Sequence, residues 1–342
     1  MAAGEPTLIL AEGFSADMHY GKTMRGVLRY RREDVVAILD SKRSGELEDG
    51  VPVVGDVAAA LAYEPRVALV GVATQGGRFP PAWRAILADC IEAGLSIENG
   101  LHQLLGDDAE LRPLADRHGV ELRDLRRPPD GLDCPTGENL EVPARIVLTV
   151  GSDCAIGKMT VSLELDRAAR ERGIASVFVP TGQTGIAIAG WGLAVDAVVA
   201  DFVAGAAERL VIEGTRRGGE LLWVEGQGSL VHPAYSGVTL GLFHGSAPHA
   251  LVLCHRAGTT EVEGYPGHPL PSLSDLVRLH EAMSLPARPA KVVAVALNTA
   301  GLDEDAAAER VSDAALETGL PTADPVRNGA ASLLEAVLAA TG

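Results

Sequence analysis

The stretch RIVLTVGSDCAIGKMTVSLELDRAARERG, residues 145–173, constrains the fold more than any other part of the chain. Residues 145–150 are mostly β-branched and apolar and read as a strand. Gly151 ends it, and Gly157, Lys158 and Thr160 open a segment with helical spacing that runs to about residue 172. A strand feeding a helix through a Gly-rich loop turns successive backbone N–H groups inward. The helix N-terminus adds roughly half a positive charge, and a lysine ammonium adds a full one, so each part attracts an anion. The residues expected to hold phosphate are therefore Gly151, Ser152, Asp153, Cys154, Ala155, Ile156, Gly157, Lys158, Met159 and Thr160. A plain turn with an incidental lysine is the blander reading. Against it stands the scarcity of lysine: the chain has four, at 22, 42, 158 and 291, and Lys22 and Lys158 each follow a glycine.

Around this motif the chain alternates strands and helices. Apolar runs at 8–11, 35–39 and 67–72 read as buried strands, and helical spacing appears at 22–31, 56–61, 81–93 and 111–120. Parallel strands joined by crossover helices account for both patterns. Between 126 and 143 the sequence RRPPDGLDCPTGENLEVP is dense in Pro, Gly and Asp and lacks apolar periodicity, as an interdomain linker does. The expected division is a first domain over 1–130, a linker over 131–144 and a second domain over 145–342. Further strands are expected at 175–179, 221–224, 251–254 and 291–297.

Composition excludes several function classes. With 342 residues, 47% of them hydrophobic, the chain can bury about two domain cores. A net charge of −17 opposes nucleic-acid binding, whose non-specific affinity comes from cations meeting phosphates. No run of about 18 apolar residues is present and the N-terminus lacks a signal-peptide pattern, so no membrane partner and a cytoplasmic location are expected. Cys90, Cys134, Cys154 and Cys254 are scattered without C-x-x-C or zinc spacing, so neither a disulfide framework nor a metal site is expected.

The loop has five residues between its glycines where the common Walker pattern has four. In this it resembles the dethiobiotin-synthetase-like branch of P-loop proteins. Met159 stands where such proteins offer magnesium a hydroxyl, and Thr160, about 100° further round the helix, need not replace it. Phosphate binding survives that departure better than nucleotide hydrolysis does. LLWVEGQGSL, residues 221–230, delivers Glu225 to a Gly-bearing loop at the carboxyl edge of a sheet, where ligands of open parallel sheets bind. Glu225 there suits a magnesium-linked carboxylate, a water-positioning group or a base, with an arginine-paired strand end as the bland alternative. The strand at 291–297, ending in Asn298 and Thr299, resembles the later strand that borders the base in such folds.

GSDCAIGKMT, PTGQTGIAIAGWG, DAVVADFVAGAAE, VEGQGSL and HPAYSGVTLGLFHGSAPHA together resemble the DgcN-type family, and HYGKTMRGVLRY and VVAILDS extend the likeness to the N-terminal half. The resemblance implies an α/β protein with a Rossmann-like N-terminal domain and a P-loop NTPase-like C-terminal domain, both with mostly parallel sheets. It also implies N-acetylation of a D-amino acid, D-glutamate above all, by acetyl-CoA. Apart from the resemblance, a homo-oligomer is expected. Coenzyme A carries phosphates that a Gly-rich loop and Lys158 can hold without hydrolysing anything. Acyl transfer to an amine then needs a base and oxyanion donors, for which Glu225, Asp201 and His232 are the candidates, with Glu208 beside them. Asp201 and Glu208 would share a helix face, which equally suits a solvated acidic surface. Gln183 and Thr184, with Lys22 and Thr23, are the expected substrate-binding residues, although Lys22 also suits a plain helix start. An ATP- and magnesium-dependent ligase or kinase is the alternative enzyme, and a non-catalytic nucleotide sensor the alternative outside catalysis.

Two smaller signals stay open at this level. His232, His244, His249 and His255 crowd one region, where catalytic or core roles fit better than metal ligation. Cys154, just ahead of a helix N-terminus, either packs beneath the loop or carries an acyl group.

Overall fold

The computed structural model describes residues 4–18 and 20–342; His19, within the HYGKTMRGVLRY stretch, lies outside the described residues. The chain divides into two compact units, Met1–Pro128 with Gly182–Ala197, and Pro129–Thr181 with Val198–Gly342. Segment 182–197, which the sequence suggested would belong to the second domain, therefore packs in the first. The reason is its apolar face: Ala187 is buried in the same cluster as Ile9, Met24, Val27 and Leu69. Among the described residues, no helix is long and apolar enough to cross a membrane.

The first unit is built on seven strands: β1 (Thr7–Leu10), β2 (Val35–Leu39), β3 (Leu47–Glu48), β4 (Val51–Val54), β5 (Val67–Val70), β6 (Ser96–Asn99) and β7 (Leu122–Asp124). Their order is β3-β4-β2-β1-β5-β6-β7, parallel throughout except for the β3/β4 hairpin. Such strands are covered on both faces, which is why they read as continuous apolar runs. β1 shows the alternation within its run: Leu8 and Leu10 enter one core cluster, Ile9 the other. Asp40, just past β2, occupies the place of an acid that in a dinucleotide-binding fold would meet a ribose. Here it is buried and committed to the fold. It accepts from the N–H of Gly13 (3.1 Å) and Ser15 (3.2 Å) and from the Ser15 hydroxyl (2.5 Å), fixing the loop after β1.

The second unit holds six parallel strands, β8 (Arg145–Gly151), β9 (Ser176–Val179), β10 (Leu221–Val224), β11 (Ala250–Arg256), β12 (Lys291–Asn298) and β13 (Thr322–Ala323), in the order β13-β12-β11-β8-β10-β9. β8 lies between β10 and β11, with Leu148 opposite Val224 and Gly151 opposite Cys254. Three chain segments thus leave the carboxyl edge side by side: the Gly-rich loop after β8, Glu225 after β10 and His255 at the end of β11.

The Pro- and Gly-rich stretch before β8 is not a slack linker. Its backbone is tied to the helix Val203–Arg216, whose buried Glu208 accepts from the N–H of Thr136 (2.6 Å) and Gly137 (2.7 Å). Gly205 of that helix lets the strap lie flat, since a Cβ there would stand 1.8 Å from the Asp133 carbonyl oxygen. Composition marks the absence of helix or strand periodicity, and a docked strap lacks it as a linker does.

Candidate functional site

The loop between β8 and the helix Lys158–Glu171 is shaped by its own side chains. Asp153 is buried, and each carboxylate oxygen accepts one backbone N–H, from Cys154 and from Glu263, both at 2.7 Å. Ser152 is pinned by an N–H to the Cys254 carbonyl (3.0 Å), and its hydroxyl meets His255 Nδ1 at 2.8 Å. Asn298 Nδ2 donates to the Ile156 carbonyl at 3.1 Å, so the end of β12 closes the other side. Gly157 turns the chain into the helix at φ 113°, a conformation open to glycine. Ala155 takes φ 51° without that freedom.

These anchors leave the front of the loop uncommitted. Among the described residues, the N–H groups of Ala155, Ile156, Gly157, Lys158, Met159 and Thr160 have no hydrogen-bond partner within the protein. They are the orphan donors of a helix start and the turn before it. Lys158 is buried, and its Nζ donates to the Asp153 carbonyl oxygen at 2.6 Å. No carboxylate forms an ion pair with it among the described residues. Burial pushes its pKa down, opposed by Cys154, Cys254, Asp153 and Glu225. A desolvated ammonium with one neutral partner, beside six unbonded N–H groups, is an anion receptor.

Behind the lysine, Thr149 Oγ1 accepts from the Gly226 N–H at 3.0 Å and meets Ser162 Oγ at 3.0 Å, tying β8, β10 and the helix together. Glu225 is buried at the same edge and its Oε2 accepts from the Thr181 N–H at 2.9 Å. Gln227 Nε2 donates to Thr181 Oγ1 at 3.1 Å.

His232, placed by the loop after Glu225, reaches the Gly-rich loop. One ligating atom each of Asp153, Cys154 and His232 lies within 4.8 Å of the other two. The His232 ring is buried, stacked on Tyr235 with centroids 4.6 Å apart and edge-on to Tyr265 at 5.2 Å. Its Nδ1 accepts from the Ala234 N–H at 3.2 Å, which places the proton of the neutral ring on Nε2. The spacing of these three groups suits a metal ion, which scattered cysteines and histidines gave no cause to expect. The tautomer argues against one, because the Nδ1 lone pair is taken and Nε2 bears hydrogen.

The remaining candidates fall elsewhere. Asp201 is exposed, in the turn Ala200–Phe202 ahead of the helix that carries Glu208, so the two do not share a helix face. Glu208 holds the strap described above. Thr23, Gln183 and Thr184 come together in the first unit: Thr23 Oγ1 meets Thr184 Oγ1 at 2.9 Å and accepts from Gln183 Nε2 at 3.2 Å. All three are buried, and Gln183 Oε1 has no partner among the described residues. Lys22 is exposed at the first position of the helix Lys22–Tyr30. Of the four crowded histidines, His232 and His255 reach the loop. His249 accepts from the Ile146 N–H at 3.0 Å and His244 meets the Met283 carbonyl at 2.9 Å, both structural. Glu263 and Tyr265 carried no motif, since the path of the segment after β11 brings Glu263 to the loop and Tyr265 to His232.

A family model for a domain of unknown function, the DUF1611 P-loop domain, matches residues 133–334, and its Rossmann-like N-terminal counterpart matches 40–128. A protein named D-glutamate N-acetyltransferase from Tritonibacter scottomollicae is 35% identical over 98% of this chain and 99% of its own. Another of that name from a Pseudoalteromonas species is 38% identical over 78% of this chain and 79% of its own. The crystal structure of a DUF1611 family protein from Anabaena variabilis superposes with a TM-score of 0.91 at 42% identity, covering 97% of this chain and 99% of that one.

Proposed function

The chain belongs to the DUF1611 family, and from that premise we propose that it is an N-acetyltransferase moving an acetyl group from acetyl-CoA to the amino group of a D-amino acid, D-glutamate first among them. The observation that carries the donor assignment is Lys158, a buried ammonium facing no carboxylate partner beside the unbonded N–H groups of 155–160. That set fits the phosphates of coenzyme A, and Met159 in place of a magnesium hydroxyl favours holding phosphate over hydrolysing it. Coenzyme A supplies the thioester from which the acetyl group is drawn.

The chain's own residues divide the remaining work. Glu225, buried at the sheet edge with one oxygen fixed by Thr181, is the group to take a proton from the substrate ammonium. His232 is assigned as a donor, because its neutral ring carries hydrogen on Nε2 and its position is locked by two tyrosines. Asp201, exposed and ahead of its helix, is assigned no chemical role.

Purified protein is incubated with acetyl-CoA and D-glutamate, and thiol release and N-acetyl-D-glutamate are followed together. Product from the wild type and its loss in Lys158→Ala are expected. Wild-type product no higher than in the Lys158→Ala control rejects the assignment.

A further inference from the structure

Cys154 is the one thiol of the Gly-rich loop, and neither phosphate binding nor proton transfer uses it. It is half-buried and in no disulfide, whereas Cys90 and Cys254 are buried with thiols pushed up to about 12. Its sulfur shares a 4.8 Å cluster with an imidazole nitrogen of His232 and a carboxylate oxygen of Asp153. Cysteine, histidine and aspartate in mutual reach are the parts of an activated thiol: a charged or polar partner stabilises the thiolate, and a third group fixes the geometry. Asp153 supplies that fixing, since one of its oxygens holds the Cys154 N–H itself and the other holds Glu263.

Two further features bear on Cys154. The charge of the buried Lys158 is coupled to it and offsets the Asp153 carboxylate, which lies in the same 4.8 Å cluster as the sulfur. The next residue, Ala155, adopts a left-handed φ of 51°, so Cys154 sits at a sharp strand-to-helix turn of the kind that presents a nucleophile.

Resting on the acetyltransferase reading, we infer that Cys154 carries the acetyl group as a protein thioester between donor and acceptor, with His232 and Asp153 as its positioning residues. In the first half, the Cys154 sulfur bonds to the acetyl carbonyl carbon while giving up its thiol proton. The carbon–sulfur bond to the coenzyme breaks, and that proton ends on the departing coenzyme sulfur. In the second half, the neutral amine nitrogen bonds to the same carbon and the Cys154 carbon–sulfur bond breaks. The proton lost by nitrogen then returns to the Cys154 sulfur. No oxidant, reductant or metal is needed for either half.

The test begins without any amine. The full-length protein is mixed with acetyl-CoA, quenched and digested, and the peptide bearing Cys154 is weighed. A gain of one acetyl group on that peptide, with one equivalent of thiol released per chain, is expected, and D-glutamate added afterwards should discharge it. An unmodified Cys154 overturns the inference. Initial rates with both substrates varied should give parallel reciprocal lines, and intersecting lines contradict it. Should Cys154→Ala form N-acetyl-D-glutamate at the wild-type rate, the thioester falls and the acetyltransferase stands. Should the wild type acetylate no amino acid at all, it is the acetyltransferase reading that falls, and the peptide mass still decides the thioester.

Discussion

Replacing Gly226 by alanine should loosen the second unit where the 225–226 backbone lies against the end of β8 and the Lys158 stem. A Cβ on residue 226 would stand 1.8 Å from the Thr149 carbonyl oxygen and 3.0 Å from Lys158 Cδ. Gly226 does not occupy a left-handed conformation, so the penalty is one of space alone. To restore even a tight contact of about 3.2 Å, the end of β8 and the 225–226 backbone must part by about 1.4 Å. The obstructing atom is main chain and cannot swing aside, which puts the strain at the upper end of overpacking, about 3 kcal/mol. Losing the Gly226 N–H to Thr149 Oγ1 adds about 1 kcal/mol. For a unit of this size each kcal/mol moves the midpoint by about 2–4 °C, so calorimetry should show a fall of about 8–16 °C. Gly237→Ala is the control, because a Cβ there meets nothing within 4 Å and the helix gains up to about 1 kcal/mol. A Gly226→Ala protein that melts with the wild type would refute the packing described at this edge.

Three further outcomes follow from single residues. Glu208→Ala should destabilise by about 2–4 kcal/mol in urea, since the Thr136 and Gly137 N–H groups lose a charged acceptor, while coenzyme A affinity stays unchanged. Glu225→Gln should lower kcat about 100- to 10,000-fold with little change in urea midpoint, because an amide oxygen still accepts from Thr181; an unchanged kcat removes Glu225 as the base. His280 is fully buried, donates from Nδ1 to the Leu276 carbonyl and leaves Nε2 unbonded, and burial lowers its pKa to about 4. Its folded value lies below the ordinary 6.5, so the unfolded chain takes up the proton first and stability is lost as pH falls through 6.5 toward 4. About 2 kcal/mol should disappear between roughly pH 7.5 and pH 5, and His280→Leu should remove that share of the slope in urea midpoints.

The strand, Gly-rich loop and helix at 145–171 and both mostly parallel sheets were legible because they depend on local pattern: β-branched runs before a glycine, and helical spacing after it. The place of Glu225 at the sheet edge was legible for the same reason, since it directly follows a buried strand and precedes a glycine. What the sequence hid was set by contacts between distant segments. Segment 182–197 reads as part of the second domain by position, yet Ala187 finds its core beside Ile9 and Met24. The strap at 133–142 looked like a linker because its order comes from Glu208, some 70 residues away in sequence, and not from periodicity. His255 and Glu263 could not be tied to the loop by spacing, since β11 and the segment after it bring them there. Asp201 is the opposite case: the helical pattern reads through it, but the helix Val203–Arg216 begins two residues later and the acid falls in the exposed turn before it.

Amide hydrogen exchange with and without coenzyme A tests the phosphate-loop claim most directly. The N–H groups of 155–160, which the protein itself does not bond, should exchange fast alone and slow sharply once phosphate oxygens accept from them, and Lys158→Ala should abolish the difference. Exchange at 155–160 that ignores saturating coenzyme A would contradict the assignment of this loop as the donor's anchor.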